Sequence, residues 1–568
     1  MILNIVLAPV VLATTLICGA GPVFGIGSHK KWFTKIVLSF AVGYVLLSLA
    51  GILANSLGMS PFPIQTGTVL AGVALCLYYR DRFQGGLDRD DWIVIGIGSL
   101  YIFICLLFLD HIIIWMAGDA VCHASIMRML LDGESIPVSI YPFGSYWEYY
   151  PKAFHLYSYY WARLFPLLNV VQVVPVLITA VTPALLYSVV RELGEREVAL
   201  YSFVIACFLF PQHYMYLIWA GYPAAAAEML MVAAILVAVV EKRLFPLVVL
   251  GIALTHTRFL AYLAGIIFVW LCFVYLKRRH LPYVLVISAL LLLMVVKLFD
   301  LHGLLFLSSI ITSQDLAAEY VSRWYPALLS VFGAVIALYR REKLDRLVVS
   351  WALAVMVMVV VADVGVFDFG TTPDRVLSKL YLPFSVFAAF VLSSMEVSMQ
   401  KLKTAFVLLI LVIGAASISV VFYSYAGSWA IPEGDYEAMV WLRDQGYVDA
   451  VCINLDDTGA WIYPLAEIEV AHQIIGPDMY YGFAPYNYRF FRSMIADPNS
   501  KSVIDTIVGS GYTSNLIYIS NVSISRPGYV PPFSRFHSRY PVLNLSFSED
   551  YYDLVYDRGA YIYELRKN

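Results

Sequence analysis

The chain has 568 residues, of which 61% are hydrophobic and only 14% are charged, and its mean hydropathy is +0.76. Soluble proteins carry about 25% charged residues, so this composition excludes an ordinary soluble protein and indicates a polytopic membrane protein. The net charge of -3 and the lack of a Lys/Arg tract give no sign of a nucleic-acid partner.

Apolar runs long enough to cross, or nearly cross, about 30 Å of hydrocarbon number about fourteen. The first, MILNIVLAPVVLATT, lacks the basic start of a secretory signal and is predicted to be a retained span. Together the runs predict a transmembrane domain over residues 1–426. They lie at residues 2–20, 35–57, 64–79, 92–115, 170–190, 198–217, 222–240, 244–256, 259–276, 281–299, 324–339, 347–366, 376–394 and 404–425.

The basic residues predict the orientation of these spans, because Lys and Arg near span ends collect on the cytoplasmic side. They cluster in every second loop, from Lys30/Lys31 to Lys401/Lys403. Both termini and the loop after the fourth run then lie outside the cytoplasm. This alternation requires that residues 153–165 form a surface helix and not a span.

The external loop at 116–165 gathers acids, histidines and aromatic residues, and it is where the sequence predicts the functional site. Asp119 opens the segment DAVCHASIMRMLL, which should be a surface helix that ends at Asp132-Gly133. Asp119 and His123 then lie one turn apart on one face. Asp119 is the candidate general base or metal ligand, and the alternative is that it only caps the helix.

His123 could orient this acid, bind a metal ion with it or touch a phosphate, or it could be structural. Further along the loop, Glu148, Tyr150, Lys152 and His155 are candidate substrate contacts, since acids beside aromatic faces suit sugar recognition. Each of them alone would more often be a solvated loop residue.

Several cations lie at predicted outer ends of spans. In THTRF, His256 and Arg258 stand within a long apolar region, where an unpaired cation is costly and is usually functional or paired. Arg323 precedes a span, and Arg375 follows Asp374, with which it could simply pair. The planar fork of arginine suits phosphate oxygens, so these arginines are candidates to bind an anionic lipid headgroup.

From about Gly427 the sequence changes to a pattern of short strands and amphipathic helices, which predicts an α/β domain over residues 427–568. Helices are expected at 435–445 and 502–510, and strands at 450–454, 515–520, 552–556 and 560–566. Two glycosylation sequons, at Asn521 and Asn544, fit an external location.

The spacing of Asp119, His123, Leu130-Leu131, Gly133, Pro137, Tyr150-Pro151 and His155 resembles the GT-C superfamily of polytopic glycosyltransferases. It is similar to the branch that includes protein O-mannosyltransferase-like and aminoarabinose-transferase-like proteins. The resemblance implies an inverting sugar transfer from a polyprenyl or dolichyl phosphate, with Asp119 as base and arginines on the phosphate. No WWDxG-like motif occurs, which argues against an oligosaccharyltransferase that acts on asparagine.

We therefore expect a multi-pass enzyme of the plasma membrane that uses a lipid-linked sugar donor and a glycan, lipid or protein acceptor. The donor phosphate would contact Arg258, Arg323, Arg375 and Lys152, and the substrate would contact Glu148, Tyr150, His155 and His256. No metal ligand is assigned, because Asp119 lacks the neighbouring Asp or Glu of many superfamily members. Whether the reaction requires a divalent ion such as Mg²⁺ or Mn²⁺ stays open. The alternatives are a flippase of a lipid-linked glycan, a polysaccharide polymerase or ligase, and a non-enzymatic receptor.

Overall fold

A computed structural model describes most of the chain, and the helices dominate it. The described residues are 2–26, 31–111, 118–133, 151–210, 212–218, 220–275, 330–340, 342–364, 376, 378–396, 399–429, 431–447, 449–454, 457–472, 488–521 and 545–566. Within the membrane part the helices are α1 (Ile2–Ile26), α2 (Trp32–Ser56), α3 (Pro61–Tyr78), α4 (Arg89–His111), α5 (Gly118–Leu131), α6 (Ala153–Ala162), α7 (Leu167–Glu192), α8 (Arg196–Phe208), α9 (Gln212–Ile218), α10 (Tyr222–Val240), α11 (Phe245–Thr255), α12 (Arg258–Tyr275), α13 (Ser330–Arg340), α14 (Lys343–Val364), α15 (Tyr381–Ser394) and α16 (Gln400–Trp429).

Eight of the described helices are long and apolar enough to cross a membrane, namely α1, α2, α3, α4, α7, α10, α14 and α16. The chain is thus a multi-pass membrane protein, while the predicted number of about fourteen spans is not confirmed. The run at 198–217 is broken: α8 ends at Phe208, shortly before Pro211, and α9 has only 7 residues. A proline disfavours helix in the residue before it, which accounts for the break. The run at 281–299 lies outside the described residues.

Ion pairs gather the basic loops at one end of the helix bundle. Arg191 at the end of α7 bonds Asp88 and Asp91 before and within α4, and Lys31 before α2 lies 3.4 Å from Glu192. The same end holds the pairs Arg196–Asp90, Arg340–Glu195 and Lys403–Glu197. The basic residues of these pairs therefore lie at one end of the bundle, and Leu156 of α6 lies against Gly51 near the other end of α2.

The first two spans cross in very close contact, because glycine leaves no side chain between them. A Cβ on Gly43 of α2 would lie 1.9 Å from the Thr15 carbonyl oxygen, and one on Gly19 of α1 would lie 1.9 Å from the Ser39 oxygen. Only glycine allows the two backbones to approach this far. α6 packs against α2, and its Tyr157 hydroxyl forms a 2.7 Å hydrogen bond with Thr15 of α1.

The C-terminal part forms a five-stranded mixed sheet in the order β2-β1-β3-β5-β4. Its strands are β1 (Ala450–Asn454), β2 (Glu469–His472), β3 (Ser514–Ile519), β4 (Tyr552–Tyr556) and β5 (Tyr561–Leu565). Its helices are α17 (Glu433–Gln445), α18 (Ile462–Ala466), α19 (Tyr488–Ala496) and α20 (Lys501–Val508). β1 is parallel to β2 and β3, whereas β5 is antiparallel to β3 and β4. All four predicted strands and both predicted helices are present, and β2 is the strand that the sequence did not predict.

Candidate functional site

The helix that carries Asp119 forms as the sequence predicts. α5 runs from Gly118 to Leu131, and Gly133 ends it with a φ of 91°, a left-handed conformation that suits glycine. Asp119 therefore lies in the first helical turn, where the positive end of the helix dipole favours a carboxylate. The side chain of Asp119 lies outside the described residues, while its neighbours from Ala120 to Leu130 are almost all buried.

One turn after Asp119, His123 pairs with a second histidine. Its Nδ1 lies 2.9 Å from Nε2 of His155 on α6, and each of the two residues is 2% exposed. The ring of Phe154 packs edge-on against the His123 ring at 5.9 Å. This buried pair fixes α5 to α6, so the two helices form one unit.

The turn between α9 and α10 completes the surroundings of His123. His123 also forms a hydrogen bond to the backbone of Ala220, and the ring of Tyr222 lies 5.7 Å from the His123 ring. Because a carbonyl oxygen only accepts, His123 donates to Ala220 and its Nδ1 accepts from Nε2 of His155. Ala220 has a φ of 55°, a left-handed conformation that is uncommon for a residue other than glycine.

Burial keeps both histidines neutral. It lowers the pKa of His123 to about 3 and the pKa of His155 well below its ordinary value, with the proximity of His123 adding to the second effect. A metal ion would need free ring nitrogens, and two of the four are already paired with each other. Among the described residues, no group of three His, Cys, Asp or Glu side chains could hold a metal ion.

Arg128 joins the same helix to the C-terminal part of the chain, which forms the sheet. Its guanidinium lies 2.7 Å from Oε1 of Glu467 and donates to the Pro464 carbonyl at 3.2 Å. Asp132 accepts a hydrogen bond of 3.2 Å from the Tyr463 hydroxyl, which adds a second link. α5 is thus held by the membrane helices on one side and by the segment after β1 on the other.

A second polar cluster lies inside the membrane helices, and the sequence analysis missed it. The Tyr381 hydroxyl lies 3.3 Å from Oε2 of Glu228 on α10 and 3.2 Å from Nδ1 of His213 on α9. Glu228 and His213 are each 1% exposed. The sequence signal was present, since Glu228 stands alone in the apolar run YPAAAAEMLMVAAILVAVV, and an acid within a membrane segment is usually functional.

Lys379 lies two residues before Tyr381, which belongs to this cluster. It is 8% exposed, and its Nζ lies 4.1 Å from the centre of the Tyr216 ring and 5.5 Å from that of the Phe259 ring. Phe259 directly follows Arg258, the first residue of α12.

The remaining predicted residues divide into two groups. His256 ends α11 and Arg258 begins α12, both partly buried, and Lys152 directly precedes α6. Glu148, Tyr150, Arg323 and Arg375 lie outside the described residues. The structure therefore joins His123 and His155 on α5 and α6, and Arg258 precedes Phe259, whose ring centre lies 5.5 Å from Nζ of Lys379.

No family model and no curated protein matches the sequence of the chain. Three solved structures from Archaeoglobus fulgidus are similar to it in three dimensions. The oligosaccharyltransferase AglB in complex with an inhibitory peptide and a dolichol-phosphate has a TM-score of 0.43 and 11% identity, over 76% of this chain and 70% of the other. The oligosaccharyltransferase with Zn and sulfate has a TM-score of 0.45 and 14% identity, over 76% and 68%. The oligosaccharyltransferase tethered to an acceptor peptide with the NVT sequon has a TM-score of 0.44 and 12% identity, over 75% and 69%.

The three neighbours do not assign this chain to a family, because their TM-scores and sequence identities are low. They are oligosaccharyltransferases, the class that the missing WWDxG motif argued against. Likeness at these TM-scores and identities neither overturns that argument nor assigns an activity. The function is therefore derived from the residues of this chain.

Proposed function

We propose that the chain is a membrane glycosyltransferase that moves a sugar from a polyprenyl or dolichyl phosphate to an acceptor outside the cytoplasm. The observation that carries this proposal is the placement of α5. It begins at Gly118, so Asp119 lies in its first turn, and it is held between the His123–His155 pair and the Arg128 contacts to the C-terminal domain. A carboxylate that must accept a proton in a defined geometry needs such rigid support.

In the proposed reaction, the Asp119 carboxylate accepts the proton of an acceptor hydroxyl. The hydroxyl oxygen attacks the anomeric carbon, and the bond from that carbon to the carrier phosphate breaks with inversion. The phosphate leaves with the bonding electrons, and cations among Arg258, Arg323, Arg375 and Lys152 stabilise its charge. His123 is neutral and fully enclosed, so we assign it the positioning of α5 and not proton transfer.

The donor, the acceptor and the side of the membrane are parts of this proposal. Glu148, Tyr150 and His256 remain the candidate substrate contacts, whereas His155 is 2% exposed and pairs with His123, so we assign it the positioning of α5. The C-terminal domain would lie outside the cell, where it could present a glycan, lipid or protein acceptor to α5. Arg128 and Glu467 bring the segment after β1 to that helix, which suits a reaction between a membrane-bound donor and an acceptor in water.

The test is sugar transfer by purified protein in nanodiscs from radiolabelled polyprenyl-phosphate sugars, with an acceptor extract supplied. Asp119→Asn should abolish transfer and keep the wild-type Tm. Asp444→Asn is the matched control, because it makes the same chemical change on an exposed face of α17. Full activity of Asp119→Asn would disprove the assignment, and a chelator added to the wild type would reveal whether Mg²⁺ or Mn²⁺ is required.

A flippase of a lipid-linked glycan is the second candidate, because Glu228 places a carboxylate inside a spanning helix. Transporters commonly carry such residues along their substrate path. Translocation of a lipid-linked glycan in proteoliposomes that depends on Glu228, with no glycosyl product, would favour this alternative.

A further inference from the structure

Lys379 is a buried cation to which no described residue supplies a carboxylate. Its described contacts are the faces of Tyr216 and Phe259, at 4.1 and 5.5 Å from Nζ to the ring centres. An aromatic face attracts a cation, but it does not replace the hydrogen bonds that the ammonium group loses on leaving water. A lysine 8% exposed among apolar helices is therefore expected to have an anionic partner.

A short chain of contacts connects Lys379 with the proposed catalytic helix. Its ammonium group lies over Tyr216, and the Tyr216 ring lies against Gly221, where a Cβ would be only 3.0 Å from Cδ1 of the ring. Gly221 follows Ala220, whose backbone bonds His123 on α5. An anion on Lys379 would thus be separated from α5 by one aromatic ring and one turn of backbone.

The aromatic residue nearest to the Lys379 ammonium group also has an unsatisfied polar atom. The hydroxyl oxygen of Tyr216 is buried and has no hydrogen-bond partner among the described residues. Buried polar groups in proteins are nearly always paired with protein, water or ligand. A polar, negatively charged group at Lys379 could serve as a partner for the ammonium group and for this hydroxyl.

We propose that Lys379 binds the phosphate of the polyprenyl carrier. This inference rests on the proposed function and adds a residue that the sequence did not select. The ammonium group donates to the phosphate oxygens at a site bordered by Tyr216 and Phe259, and Arg258 lies beside Phe259. The isoprenoid chain of the carrier would extend between the apolar helices, and the sugar would face α5.

The experiment measures binding and not turnover. A short-chain polyprenyl phosphate is titrated into nanodiscs that hold wild type, Lys379→Met, Lys35→Met or Asp119→Asn, and the Kd is determined from intrinsic tryptophan fluorescence. Lys35→Met is the matched control, since Lys35 is also 8% exposed and lies 4.8 Å from the centre of the Phe24 ring, at the basic end of the bundle. Phosphatidylglycerol is titrated in parallel as an ordinary anionic lipid.

Lys379→Met should raise the Kd about 10- to 100-fold, the range expected for a lost hydrogen bond to a charged group. Lys35→Met and Asp119→Asn should bind like wild type, and Lys379→Met should keep its Tm, because removal of an unpaired buried charge relieves a cost. Equal affinity of wild type and Lys379→Met would refute the inference and leave the proposed function standing. If Lys379→Met lost as much affinity for phosphatidylglycerol, Lys379 would be a general lipid contact, and this result would also refute the inference. If wild type bound no polyprenyl phosphate at all, the proposed function would fail as well.

Discussion

Nδ1 of His123 lies 2.9 Å from Nε2 of His155, and this hydrogen bond between two buried neutral rings joins α5 to α6. The geometry depends on the charge state, because two protonated imidazoles at this distance would repel each other and neither could accept. The helix that carries Asp119 is thus fixed by a contact that is lost when both histidines are protonated.

The pair predicts a loss of stability in acid. The pKa of His123 falls from an ordinary 6.5 to about 3 in the folded protein, so below pH 6.5 the unfolded chain binds more protons. The free energy of unfolding then decreases as the pH falls toward 3, by at most about 1.4 kcal/mol per pH unit for each histidine. The Tm in nanodiscs, measured from pH 7.5 to 5, should fall steadily for the wild type.

The double variant His123→Gln with His155→Gln should flatten this dependence, since Gln can still donate to the Ala220 carbonyl but does not titrate. Ser125→Ala, a buried change on the same helix, should keep the wild-type slope. The same slope in the double variant would show that other groups cause the acid sensitivity.

Arg128 provides the second prediction, because it joins α5 to the C-terminal domain. Arg128→Ala should lower the free energy of unfolding by about 1–2 kcal/mol, since the guanidinium bonds both Glu467 and the Pro464 carbonyl. Transfer activity should fall by more than the loss of stability accounts for, because α5 would lose its support from the C-terminal part of the chain. Both quantities are measured in nanodiscs at low salt.

Arg566→Ala is the control for this prediction. Arg566 pairs with Asp553 at 2.6 Å, but both side chains are largely exposed and belong to the C-terminal domain alone. Its removal should change the free energy of unfolding by less than about 0.5 kcal/mol and leave activity intact. If both variants had the same small effect, Arg128 would be only a surface ion pair.

Sequence patterns were sufficient to predict the helices and strands whose formation depends on residues close together in the sequence. The helix from Asp119 to the Asp132-Gly133 end and the strands at 450–454 and 552–556 follow from periodicity and from turn residues. The run at 198–217 was predicted as one span because hydropathy alone does not weigh Pro211. β2 escaped prediction, since a four-residue strand carries too little pattern to recognise.

The side-chain clusters that bear on function depend on contacts between residues that are far apart in the sequence. His123 and His155 were both selected, but their pairing depends on how α5 folds against α6. Glu228, His213 and Tyr381 come from three separate helices, so no spacing within the chain could join them. An acid alone in an apolar run was a sufficient reason to select Glu228, and the sequence analysis passed over it.

The close crossing of α1 and α2 predicts opposite effects of one substitution at two glycines. Gly43→Ala should lower the Tm, because the new Cβ would lie 1.9 Å from the Thr15 carbonyl oxygen and would force the helices apart. Gly96→Ala on α4 meets nothing within 4 Å. It should raise the Tm slightly, since alanine favours a helix over glycine by about 1 kcal/mol. Equal effects of the two variants would contradict the close packing.

The ion pairs at the basic end of the bundle lead to a prediction about sidedness. If this end faces the cytoplasm, as basic residues near span ends favour, the C-terminal domain faces outward. In a variant with all seven cysteines replaced, Asp444→Cys on α17 should react with a membrane-impermeant maleimide in intact cells. Arg243→Cys, just after α10, should react only after the cells are permeabilised. Both side chains are well exposed, so access to the reagent and not burial decides the result. The reverse pattern would place Asp119 on the cytoplasmic side, and the proposed acceptor would then have to be a cytoplasmic molecule.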